Sequence, residues 1–157
     1  MDKTKMKGKD LTKEAPRSPH ARPGGFAILA RTIDKCQALL WGNIGEYHFD
    51  CPLDNTLFKW KGIKGDDFKK FVETGASDEE IADWVRKNGV SKTDAEIAAW
   101  SDEVDKDNYD SKPPEKKQWL VGENVRLGLA KDSTLFDYLD ADDKASFAGA
   151  AGGVCEV

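Results

Sequence analysis

Histidine, methionine and cysteine are scarce: two, two and three residues in a chain of 157. The cysteines, Cys36, Cys51 and Cys155, are odd in number and far apart. No C-x-x-C pair exists, which argues against a zinc ribbon or a thioredoxin-type dithiol, and the odd count argues against a disulfide framework. The expected compartment is therefore the reducing cytoplasm. No apolar run approaches the roughly 20 residues of a membrane span. The lysines of Met1–Lys7 are not followed by an apolar stretch, so no secretory signal is expected. A positive surface is lacking too. Net charge is −5, from 24 basic and 29 acidic residues, which argues against general nucleic-acid binding. The glycines form neither a Walker nor a dinucleotide pattern, and no G-x-S-x-G or protein-kinase signature set occurs.

Aromatic side chains are present in quantity. Five Trp and seven Phe offset an apolar content of only 39%, because each ring buries a large area. The length suits one domain with a single core. The expected architecture is mainly α, one compact domain of six or seven helices, with a short extended segment near residues 45–51. Residues 1–9 read as a disordered leader, 10–147 as the domain and 148–157 as a mobile tail.

Spacing places the helices. Phe26, Leu29, Ile33, Cys36 and Leu40 alternate at intervals of three and four, and Gly42-Asn43 ends that helix. Pro52 suits a first turn, with Leu53, Leu57 and Phe58 behind it. Phe68, Phe71 and Val72 mark a third helix. Ser77-x-x-Glu80 and Thr93-x-x-Glu96 are two capping boxes opening an echoed pair, each followed by Ile and Trp three residues apart. Trp119 and Leu120, then Leu135, Phe136 and Leu139, supply the last two helices. All of these aromatic and aliphatic residues are expected in the core.

The densest chemistry lies in Gly45-Glu46-Tyr47-His48-Phe49-Asp50-Cys51-Pro52-Leu53-Asp54. A cysteine at a helix start feels the positive end of the dipole, which favours thiolate. His48 could serve as its base, with Asp54 or Glu46 orienting the imidazole. The plainer reading is a buried cysteine beside a hydrogen-bonded histidine. His48, Cys51 and Asp54 are also possible metal ligands, but no further pair stands by, so no metal is assigned and the cofactor stays unknown. Arg17, Arg22, Arg31 and Lys35 surround Gly24-Gly25. Glycines before a helix can let an anion reach its N–H groups while arginines clamp it. Alternatively, those cations pair with the chain's own acids.

The blocks Asp10-Leu11-Thr12-Lys13-Glu14-Ala15-Pro16-Arg17-Ser18-Pro19, Gly24-Gly25, Arg31-x-x-Asp34-Lys35 and Gly45-Glu46-Tyr47-His48-Phe49-x-Cys51-Pro52-Leu53-Asp54 resemble the bacterial family called domain of unknown function 5069. The resemblance runs from about Asp10 to Phe147. Ala30 departs from it, standing where similar proteins often carry proline. The resemblance implies a compact bacterial cytoplasmic domain and brings no activity with it.

Two functions are open on this reading. The first is a protein or enzyme acting on a small anionic ligand held by Arg17, Arg22, Arg31, Lys35 and Glu46, with His48, Cys51 and Asp54 as catalytic candidates. The second is a non-catalytic interaction module, such as a homodimer. The first requires Arg31, His48 and Cys51 to line one concavity. The second has them buried in mutual hydrogen bonds.

Overall fold

Glycine, proline and hydroxyl caps set several of the helix ends in this protein. The computed structural model describes residues 8–147; the expected tail, 148–157, and all but the last two residues of the expected leader lie outside that range. Of those two, Lys9 donates from Nζ to the Ala15 carbonyl at 3.1 Å. Seven α-helices follow: α1 Leu29–Trp41, α2 Pro52–Lys61, α3 Gly65–Val72, α4 Asp78–Lys87, α5 Asp94–Asp105, α6 Pro114–Arg126 and α7 Leu135–Phe147. No strand occurs among the described residues. Gly42 and Gly62 end α1 and α2 in the left-handed conformation, where the missing Cβ removes the steric cost. Both capping boxes form: the hydroxyls of Ser77 and Thr93 accept from the N–H groups of Glu80 and Glu96, whose carboxylates accept in return.

The lead-in packs along α1. Leu11 is buried with Ala38 and Tyr47, and its N–H donates to the Asn43 carbonyl at 2.9 Å. Pro19 accepts the N–H of Ile28 at 3.0 Å. Ile28, buried, takes φ 75° on the threshold of α1. A β-branched residue there is strained, and its burial with that hydrogen bond holds the sharp entry into α1. Residues 42–51 join α1 to α2 through turns at Gly45-Glu46 and Phe49-Asp50.

The core lies between α1 and α2, α3, α4, α5 and α7. Phe58, Phe68, Phe49, Phe71 and Trp84 form one aromatic cluster, and Trp60 stacks on Trp100 at 4.6 Å. Trp119 departs from the expected core. It is 36% exposed and meets Tyr138 edge-on, because α6 turns Leu120 and Asn124 inward instead.

Candidate functional site

Helix α1 carries more polar groups than its surroundings would ordinarily allow. Its apolar stripe faces the core, yet Arg31, Thr32, Asp34 and Lys35 are buried as well. The lead-in, the 42–51 connection, α2 and α7 cover the faces that a solvated helix would leave open. Leaving an ionised group dry costs several kcal/mol unless it is paired, so each finds a partner on another element.

Three such pairings radiate from α1. Arg31 donates to the Asp143 carboxylate at 2.7 and 3.1 Å. Tyr47 donates its hydroxyl to the same carboxylate at 2.8 Å and lays its ring 5.5 Å from the guanidinium. Burial, then the Asp143 charge, pushes the Tyr47 phenol well above its ordinary range. Asp34 accepts from the Arg17 backbone N–H at 2.7 Å and from its guanidinium at 3.0 Å, while Arg17 also reaches Asp78 on α4 at 2.7 Å. Lys35 pairs with Asp54 at 2.9 Å. Asp54 accepts from Thr32 at 2.6 Å and from the Asp50 N–H at 2.9 Å. Lys35 also lies 3.3 Å from the sulfur of Cys51, the N-cap residue of α2.

The two regions singled out in the sequence therefore meet: α1 touches Tyr47, Cys51 and Asp54 of the central segment. They do not meet around an open cavity. Arg31 and Lys35 are both 0% exposed and Cys51 is 6% exposed. The positive charge there already has chain carboxylates as counterions. The chain matches the family described as Domain of unknown function (DUF5069) over residues 13–145. It belongs to that family. No curated protein matches it.

The other candidates of this DUF5069 chain stand nearer the surface. His48 and Glu46 are exposed on the turns before α2. Arg22 pairs with Asp102 at 2.8 Å and with Asp105 at 3.4 Å on α5. The Gly24-Gly25 turn is covered by α4 and α5, which pack on it. A Cβ on Gly24 would stand 2.7 Å from that of Ala82. Arg86 donates to the Gly24 carbonyl at 2.8 Å, and the Ser101 hydroxyl to that of Gly25 at 2.8 Å. His20 is held between Asp105 at 2.9 Å and Asp137 at 3.0 Å. Among the described residues no group of three or more His, Cys, Asp or Glu could hold a metal ion.

Sequence reasoning missed Asp143, Asp142 and Lys61. Lys61 is wholly buried and donates to the carbonyls of Arg86, at 3.1 Å, Asn88 and Val90, at 2.7 Å, closing the α4 C-terminus. Burial, then the charges of Lys92 and Arg86, lowers its pKa. Asp142 and Asp143 sit in the acidic run Asp140-Ala141-Asp142-Asp143. No local spacing distinguishes them, since their partners Arg126, Arg31 and Tyr47 come from other elements.

Proposed function

We propose that this protein acts in the bacterial cytoplasm as a non-catalytic interaction module that pairs with a second copy of itself. The observation behind this reading is that Arg31 and Lys35 are fully buried against Asp143 and Asp54. A group that binds or attacks a soluble substrate needs a path to it, whereas a sealed ion-pair network serves to fix which elements pack together. The outer arc of α6 supports the interaction. It presents Val121, Gly122 and Val125 side by side, with Val125 55% exposed and Trp119 beside them. A glycine inside a helix costs about 1 kcal/mol relative to alanine, and here nothing lies within 4 Å of where its Cβ would be. Such a notch between valines lets the backbone of another helix come close. A two-fold axis through it would make the surface self-complementary.

Light scattering over a concentration series tests this. Dimer is expected at the upper concentrations, and Val125→Glu is expected to return the protein to monomer with unchanged helicity. A wild-type chain that stays monomeric throughout sinks the reading.

One observation favours a second reading, the binding of a small anion. Arg17 is partly exposed and lines a groove of about 570 Å3 with Lys9, Gln37 and Ser77, beside the carboxylates of Glu14, Asp34 and Asp78. Inorganic phosphate or a dicarboxylate would there compete with Asp78 for the guanidinium. Loss of phosphate-induced shifts in the Arg17 Nε–H resonance on Asp78→Asn would count against it, since freeing the guanidinium should strengthen binding.

A further inference from the structure

We propose that Lys35 and Cys51 form an oxidisable pair that closes into a covalent nitrogen–sulfur bond, a modification site joining α1 to the start of α2. The pair is already in contact, with Nζ 3.3 Å from Sγ. Asp54 stands 2.9 Å from the same nitrogen, placed to receive its proton. Both side chains are held: Lys35 between Asp54 and Cys51, and Cys51 at the N-cap of a helix whose first residue is proline.

Cys51 is also the better sulfur for an oxidant. An ammonium neighbour and a helix N-terminus favour the reactive thiolate. Cys51 keeps a residual 6% exposure against 0% for Cys36, so it lies nearer the surface for a water-sized oxidant such as hydrogen peroxide, although neither opens on a cavity. Burial, then the Asp54 charge, pushes the Cys36 thiol far above its ordinary range, so that sulfur stays protonated and inert.

The chemistry balances with peroxide as the oxidant. The Cys51 thiol and hydrogen peroxide give the sulfenic acid and water: the O–O bond breaks, and sulfur loses the two electrons that peroxide gains. A sulfenic acid condenses with a nearby nucleophile, a nitrogen included. Lys35 passes one proton to Asp54 and becomes a neutral amine. Its lone pair attacks Sγ, the S–O bond breaks, and the departing hydroxide takes a second proton from nitrogen to leave as water. The product is Lys35–NH–S–Cys51 with Asp54 protonated. The buried ion pair is thereby neutralised, and no charge is stranded. A thiol reductant attacking sulfur reverses the bond.

The test uses the full chain. Protein treated with hydrogen peroxide is capped with iodoacetamide, digested with trypsin and read by mass spectrometry. Expected is one continuous peptide, Thr32–Lys59, left uncleaved at Lys35, about 2 Da lighter than the same stretch without the link, and cleaved at Lys35 again once dithiothreitol has opened the bond. The double variant Cys36→Ala, Cys155→Ala still forms it, and Lys35→Arg does not. If the arginine variant fails to fold, the mass and cleavage pattern of the wild type decide alone. Cys51 recovered unlinked as its sulfinic or sulfonic acid, a disulfide to either other cysteine, or a link heavier by a retained oxygen would overturn the proposal.

Discussion

Helix α1 and the α4–α5 pair are held in opposite ways. The α4–α5 pair is defined by signals within a few residues of each helix end: a hydroxyl at the cap, a glutamate three residues on, and Asn88-Gly89 between the two. Helix α1 has no capping side chain, and its polar residues are satisfied by Arg17, Cys51, Asp54 and Asp143, which lie far along the chain. The first arrangement is modular, since removing one cap frays one end. The second is all-or-none, since each buried charge depends on a distant element arriving. Stability in this protein is thus concentrated where the sequence shows it least.

The largest expected effect comes from splitting a buried pair. Asp54→Ala leaves the Lys35 ammonium, the Thr32 hydroxyl and the Asp50 N–H without their shared acceptor. Breaking such a pair costs about 3–5 kcal/mol, to be read as a drop in urea midpoint. Replacing both partners, Lys35→Met with Asp54→Leu, should recover most of that loss, because the desolvation of both charges disappears with their attraction. A double variant as unstable as the single one would show that the network does not act through charge pairing.

Next comes the turn inside the modular region, between α4 and α5. Gly89 has φ 72°, and a Cβ on it would stand 2.0 Å from the Lys61 carbonyl, which accepts the Val90 N–H. Backbone cannot yield as a side chain can. Gly89→Ala should therefore cost about 2–3 kcal/mol from left-handed strain and the clash together. Gly122→Ala on α6, with open space around it, should instead stabilise the monomer by up to about 1 kcal/mol. Thermal melts of the two variants should move in opposite directions.

The caps come third. Ser77→Ala and Thr93→Ala should each cost about 1 kcal/mol. The two should add, because the boxes share no hydrogen bond and separate sites are independent. Non-additivity in a double-mutant cycle would mean that α4 and α5 fray as one unit, and the contrast with α1 would shrink.

These contrasts explain what was legible. Helix boundaries at Gly42, Pro52, Ser77 and Thr93 follow from local backbone chemistry, and the stripes of α1 to α5 follow from period. Trp119 was misplaced because ring size argues for burial while α6 buries Leu120 and Asn124. The approach of Arg31 and Lys35 to the central segment was a reasonable expectation from residue type. Pairing of those cations with the chain's own acids was one of the open readings, but the choice of Asp143 was not readable, because nothing local separates it from a surface acid such as Asp137. Lys61 shows the same gap: three backbone carbonyls hold it, and carbonyls are the same in every residue.

The smallest expected effect tests a junction between the two kinds of region. His20 lies on the lead-in that covers α1 and reaches both α5 and α7. Its Nδ1 faces Asp105, which Arg22 shares; its Nε2 faces Asp137 and, at 3.6 Å, Asp140, which also accepts from Ser18; Phe136 meets its ring edge-on. Burial opposes charging the imidazole, but Asp105, Asp137 and Asp140 together outweigh it, and the pKa is raised. A raised value means that the folded state holds the proton more tightly than the unfolded chain. The contribution is therefore fully present below the unfolded value of about 6.5 and is lost as pH rises through the higher folded value. Wild type should lose stability across that window, and His20→Gln should lose less, narrowing the gap between them at alkaline pH. The imidazole is about one-third exposed, so solvent screening keeps the effect below that of a cap. Urea midpoints of both proteins on either side of the window measure it. Parallel pH profiles would mean that charging of His20 adds nothing to the hold on the lead-in, which its other contacts, among them Leu11, Arg17 and Pro19, then secure.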